Sequence, residues 1–218
     1  MRWITSANLA CGGHAGDVAG TRAALQLARR HRVRVGAHPG PIERAGFGRG
    51  PVTIEPDELE WLLLQQVGAL AKLARAERLA LHHIKLHGAL YHATDTHADL
   101  AKRYVAAAHR WWPQCVLYVR AGGLVERVAR ERRVGCWGEV FADRGYRDDG
   151  TLVPRTEPGA LMTDPGQVRA RVDRIRRAGR IEAQSGRLLE LAAHTICVHS
   201  DTPGAVRLAR VVAETLAK

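Results

Sequence analysis

Short apolar runs alternate with longer amphipathic segments along the whole chain. Ile4–Ala10, Val33–Ala37, Leu81–Leu86, Cys115–Val119 and Thr195–Val198 have the length and β-branched content of strands, as does the apolar start of the stretch Gly135–Arg155. Between them, apolar residues recur at helical spacing. Asp17 is suited to cap a helix that turns Val18, Ala24, Leu25 and Ala28 inward. Pro56 opens a long helix to about Ala76, with Leu59, Leu62, Leu63, Gln66, Val67, Leu70 and Leu73 on one stripe. Further helices are predicted over Thr96–Arg110, Leu124–Arg130 and Ala205–Ala217. Another follows Asp164, with Pro165 in its first turn and Gln167 in a capping-box position. Ile181–Leu191 fits a small hairpin around Ser185 and Gly186. Strands that alternate with helices predict a parallel sheet with helical crossovers, in a single domain over residues 1–218.

Composition narrows the function classes. No apolar run approaches the roughly 20 residues needed to span a bilayer, and Met1–Gly13 lacks the apolar core of a secretion signal, so a cytoplasmic chain with no membrane partner is expected. The four cysteines lie in or beside apolar runs without CxxC spacing, which predicts buried free thiols rather than disulfides or a zinc site. A formal net charge of +11 raises the question of nucleic acid. Its densest run is Arg169–Arg180, where Val168, Val172 and Ile175 form an apolar stripe. That spacing predicts that the arginines lie on a solvated outer face; no aromatic residues interleave with them, so nucleic acid is not the expected partner.

Chemistry collects after the strands. The first is followed by Asn8, His14 and Asp17, the second by His38, and the third by Lys85 and His87. The fifth carries Glu139 and Asp143, and the last leads to His199 and Asp201. Carboxyl ends of parallel strands share one side of a sheet, so these groups are expected around one site. Gly135–Arg155 adds Arg144, Tyr146, Arg147, Asp148, Asp149 and Arg155 in a glycine-punctuated loop. Two chemistries fit. Imidazoles and carboxylates could run acid–base catalysis on a carbonyl, with Lys85 or a helix N-terminus facing the oxyanion. Alternatively His14, His38, His87, His199 and an Asp could hold a divalent metal that activates water, but no HxxxH or HExxH spacing supports that, and no residue is assigned as a metal ligand. There is no GxxxxGK[ST] loop and no GxSxG elbow.

TSANLACGGHAGD, GAHPG followed by GFGR, KLHGALYH, EVFADRGYRDDGTLVPR and ICVHSDTPGAV resemble stretches of the LamB/YcsF family, in family order and across nearly the whole chain. The resemblance implies a distorted β/α barrel akin to the polysaccharide-deacetylase and glycoside-hydrolase barrels. It also implies ATP-dependent opening of 5-oxo-L-proline to L-glutamate, carried out with 5-oxoprolinase subunits B and C. On that reading Glu139, Asp143, Lys85 and His87 are the catalytic groups. Asn8, His14, Asp17, His38, Arg144, Arg155, His199 and Asp201 bind substrate. Family members open with a strand bearing a DLNxDxGE-like motif, and this sequence begins after it, so a barrel lacking its first strand is expected, its exposed edges covered by association of copies or left less stable. The loop after His38 reads Pro39-Gly40-Pro41-Ile42 where the family has an aromatic and then Pro-Asp, and Leu86 follows Lys85 where Pro is usual. A metal-dependent amide or acetyl hydrolase, and a non-catalytic binding subunit, are the alternatives.

Overall fold

The computed structural model describes residues 1–218 as two compact units, 1–137 and 138–218. In the first, β1 (Ser6–Ala10), β2 (Arg34–His38), β3 (Leu81–Ile84) and β4 (Val116–Arg120) are paired in that order, all parallel. Helices α1 (Val18–His31), α2 (Pro56–Ala76), α3 (Gly88–Thr96), α4 (Ala98–Trp111) and α5 (Leu124–Glu131) make the crossovers. Strand β5 (Cys136–Phe141) begins at the end of this unit. In the second unit it runs parallel to β8 (Thr195–Cys197), with Glu139, Val140 and Phe141 opposite Thr195, Ile196 and Cys197. Helices α6 (Pro165–Ala178) and α7 (Ala205–Leu216) complete that unit, together with the antiparallel pair β6 (Arg180–Glu182) and β7 (Leu188–Glu190). This is the α/β class that the alternation predicts, including the hairpin about Ser185 and Gly186. No helix is long and apolar enough to cross a membrane.

Local chemistry explains most boundaries. The Asp17 carboxylate accepts from Gly20 N at 2.7 Å and caps α1; Asp164 accepts from Gln167 N at 2.8 Å and caps α6 ahead of Pro165. Gly179, in the left-handed region at φ 61°, ends α6. Leu59, Leu63, Val67 and Leu70 of α2 are fully or almost fully buried; α2 packs on α4, whose Leu100, Tyr104 and Val105 are buried. In the second unit, Val168 and Val172 of α6 meet Leu208, Val211 and Val212 of α7 over Ala142. Burying each such side chain stabilises by about 1.5–3 kcal/mol. All four cysteines are free; Cys115 and Cys197 are buried, and Cys11 and Cys136 half-buried.

Three expectations are corrected. Val18 is 63% exposed: as the first residue of α1 it precedes the turn whose Leu25 and Ala28 face inward. The helix predicted over Thr96–Arg110 is α4, Ala98–Trp111, but a separate helix that the pattern does not predict, α3, precedes it over Gly88–Thr96; His97 takes an extended conformation (φ −113°, ψ 113°) that ends α3 and caps α4. Arg171 does not join its neighbours on the outer face. It is buried, donates to the carbonyls of Phe141 and Arg144, and lies over the Tyr146 ring. Its position between Val168 and Val172–Ile175 puts it on the inward stripe, and those carbonyls satisfy the guanidinium there.

Candidate functional site

In the first unit three histidines from separate strand ends meet. Strand β1 leads into the turn that carries His14, β2 ends at His38, and His87 stands at the N-cap of α3, just after β3. The His14 and His87 rings stack with centroids 3.6 Å apart, and His38 meets both edge-on at 5.6 and 4.8 Å. Phe47 closes the group, edge-on to His14 and His87. The His38 Nδ1–H donates to Lys85 O at 2.8 Å, the His87 Nε2–H to Phe47 O at 2.7 Å, and His87 Nδ1 lies 3.0 Å from His38 Nε2. One nitrogen from each of the three rings can be chosen so that all lie within 4.8 Å of one another. Linear spacing gives no sign of this, since the residues are separated by whole β–α segments.

The backbone is shaped to permit that approach. Phe47 has φ 56°, uncommon for a bulky residue, and this aims its carbonyl at His87. A Cβ on Gly40 would sit 2.5 Å from His14 Nδ1, and one on Gly48 2.8 Å from the His14 Cβ. Arg44 ties the His14 turn down by donating to the carbonyls of Gly12 and Gly16. Gln66 on α2 clamps Gly40 from both sides: its Nε2 donates to Gly40 O at 2.7 Å and its Oε1 accepts from Gly40 N at 3.0 Å. The sequence pattern assigns Gln66 no role beyond its place on the stripe, although an amide in the middle of an apolar run is the signal that could have found it.

Asn8 is half-buried, and its Oδ1 accepts from His83 Nε2 at 2.8 Å. His83, outside the predicted set, is fully buried on β3 and stacked on Tyr118. Asp17 is exposed and engaged in capping α1. Lys85 is buried, with Nζ 5.7 Å from the centre of the Tyr91 ring.

In the second unit the focus is Asp143. Its carboxylate is fully buried and accepts from His199 Nδ1 at 3.0 Å, His199 N at 3.0 Å and the Thr202 hydroxyl at 2.5 Å. The His199 ring stacks on Phe141 and its side chain is 21% exposed. This fixes Nδ1–H toward the carboxylate and leaves Nε2 as the basic nitrogen, the geometry of an oriented general base. Asp143 thus orients a histidine, and Thr202 is a partner that sequence reasoning missed. Glu139 is buried on β5, opposite Thr195. Arg144 is buried, and its Nε donates to Ala160 O and its Nη2 to Val153 O. Arg155 and Asp201 form an ion pair at 3.7 Å. At the charged tip of the loop Arg147 pairs with Glu157, Asp148 accepts from Ser185, and Asp149 accepts from Thr151.

Burial, then the nearby His87, Arg49 and Arg44, lower the His14 pKa from 6.5 to about 3. Burial and Lys85 push His38 well below its ordinary value. His83 falls to about 3, mainly through burial. For Asp143, burial raises the pKa, but the hydrogen bonds and charge of His199 and the Thr202 hydroxyl outweigh it, and the net shift is downward. The unfolded chain therefore takes up protons on His14, His38 and His83 below about pH 6.5, which the folded chain refuses until near pH 3 for His14 and His83 and until well below the ordinary value for His38. Asp143 adds the same sign below 3.8, its contribution being lost as pH falls through its folded value. Stability is expected to be level between about pH 7 and 8 and to fall continuously from about pH 6.5 downward, earlier than carboxylates alone would give. Urea midpoints measured from about pH 8 to 4 check this; a flat line over the lower part of that range contradicts it.

A model of the LamB/YcsF family matches residues 1–218. A protein of Pyrococcus furiosus, named as the A subunit of 5-oxoprolinase, is 42% identical over 216 residues, covering 99% of this chain and 85% of its own. One of the same name from Syntrophobacter fumaroxidans is 43% identical over 216 residues, again covering 99% of this chain and 85% of its own. The crystal structure of a lactam utilization protein from Thermus thermophilus superposes with a TM-score of 0.91, at 38% identity, over 99% of this chain and 86% of that one.

Proposed function

Because the chain belongs to the LamB/YcsF family, we propose that it is the A subunit of a 5-oxoprolinase, working with subunits B and C in the ATP-dependent opening of 5-oxo-L-proline to L-glutamate. Bound with those partners, nucleotide supplies the free energy that drives the ring open. The chain itself has no GxxxxGK[ST] loop to cradle phosphates, which is compatible with nucleotide handling that depends on those partners.

The observation that carries the reading is the Asp143–His199 pair. Ring opening adds water across an amide C–N bond: a base removes a proton from the water, and an acid delivers one to the departing nitrogen. His199 Nε2 is the base, because Asp143 holds Nδ1–H and stabilises the imidazolium that forms. Asp143 is a positioning residue, and its partner Thr202 keeps the carboxylate from turning away. Glu139 is the buried carboxyl that serves the second proton transfer.

The test is glutamate release from 5-oxoproline by this chain together with subunits B and C, with and without ATP. Release that needs all three subunits and ATP is expected. His199→Gln should lower turnover by roughly 10²–10⁴-fold, the range for losing an acid–base group. No lactam opening by the complete system would sink the assignment, and an unimpaired His199→Gln protein would remove the dyad from it.

A further inference from the structure

We propose that His14, His38 and His87 form a binding site for a divalent transition-metal cation of the zinc type. Lys85 O and Phe47 O can only accept, so the ring nitrogens facing them, His38 Nδ1 and His87 Nε2, must each carry a hydrogen. A neutral imidazole has one N–H, so the remaining nitrogens, His38 Nε2 and His87 Nδ1, present lone pairs. These two nitrogens face each other at 3.0 Å. Two lone pairs at that distance repel unless something positive stands between them. Only a shared proton or a metal ion meets that need.

Three further observations select the metal. A metal-ligating histidine characteristically gives its other N–H to a carbonyl or carboxylate, which fixes the tautomer; both rings already do so. A third imidazole is in reach, with donor nitrogens within 4.8 Å of one another, whereas a shared proton needs only two rings. His14 is also only 3% exposed, and its Nδ1 has no hydrogen-bond partner, an arrangement that a bare packing role leaves costly. Tetrahedral zinc with bonds of about 2.0–2.1 Å holds its nitrogens roughly 3.3 Å apart, close to the His38–His87 separation. Binding the ion requires His14 to tilt off its stack on His87. Three imidazoles and no thiolate favour zinc, cobalt or nickel over magnesium or calcium, and three protein ligands leave a fourth position open to water or an anion. The site was invisible to motif spacing because its ligands come from three successive β–α units.

The test uses the intact chain alone, without lactam, nucleotide or partners, so its failure leaves the 5-oxoprolinase reading untouched. Protein freed of metal by chelation is titrated with Zn²⁺ by calorimetry. One ion per chain with a micromolar or tighter dissociation constant is expected. His38→Gln and His87→Gln should each weaken it by at least the roughly 10–100-fold that loss of an outer-shell partner costs, and the exposed His97→Gln should not. Should either ligand variant fail to fold, X-ray absorption of the zinc-loaded wild type decides, with three imidazole shells expected. No uptake by the folded wild-type chain would overturn the site, leaving the shared proton. So would uptake undiminished in both ligand variants, or a coordination shell with sulfur or fewer than two imidazoles.

Discussion

Glu139→Gln is expected to lower turnover by roughly 10²–10⁴-fold in the reconstituted enzyme, with little change in folding. The substitution keeps size and shape while removing the charge and the ability to exchange a proton. Glu139 is 2% exposed at the C-terminal half of β5, so its side chain is held by strand packing rather than by a mobile loop. A carboxyl in such a place can move a proton without rearranging solvent, which is what delivery to a departing amide nitrogen needs. Asp143→Asn should behave differently. It keeps the bonds from His199 N and Thr202 in part, loses the charge that stabilises an imidazolium, and lets His199 adopt the wrong tautomer. Its signature is a shifted pH–rate profile, whereas a merely structural lesion would lower activity evenly at all pH values. ATP-dependent glutamate release, measured for both variants across about pH 6–9, separates the two roles. A fully active Glu139→Gln enzyme would exclude the carboxyl from proton transfer.

Gly36→Ala is expected to be among the most destabilising single-methyl additions in the chain. A Cβ at Gly36 would stand 2.1 Å from His83 Nε2, 2.2 Å from Cδ2 and 2.4 Å from Cε1. The ring cannot step aside: it is fully buried, stacked on Tyr118 with centroids 3.9 Å apart, and bonded to Asn8. Overpacking a close-packed interior costs typically about 1–3 kcal/mol and more where the neighbour is pinned, and loss of the His83–Asn8 bond adds about 1 kcal/mol. A fall of several kcal/mol in unfolding free energy is expected from urea titration. His83→Ala in the same background should restore part of it, since the methyl then has room. An unchanged midpoint in Gly36→Ala would show that β2 and β3 separate more readily than their register implies.

The alternation of apolar runs and amphipathic segments was enough to place the strands and helices, because burial on a sheet and along a helix face leaves periods that composition cannot hide. Asp17 and Asp164 were legible as caps for the same reason: the chemistry of an N-cap is local. The three histidines were legible as strand-end residues expected around one site, because the carboxyl ends of parallel strands share one side; that these three rings would touch was not, since periodicity carries no information about which strand ends meet most closely. Arg171 and Gln66 show a different limit. Both stand on apolar stripes, so the spacing pointed inward, and residue type suggested otherwise for the arginine. What decided each was a set of backbone carbonyls or an amide waiting for a partner, supplied by a segment far away in sequence. Likewise nothing in the pattern pairs Asn8 with His83, whose Nε2 meets its oxygen from β3. Polar partnership is a tertiary property, and pattern reading sees only half of each pair.

The three donors that converge on Asp143 also have a kinetic meaning. His199 N, His199 Nδ1 and the Thr202 hydroxyl all lie in the turn after β8, and all reach the same carboxylate. Opening that turn breaks three bonds at once, so it has no cheap local excursion of the kind that loops usually make on the way to amide exchange. The His199 amide should therefore exchange with solvent as slowly as the strand amides around it, a protected point in a stretch with no regular structure. Its exchange rate would follow the occupancy of the carboxylate bond, making a single backbone proton the natural reporter of whether the histidine is held ready.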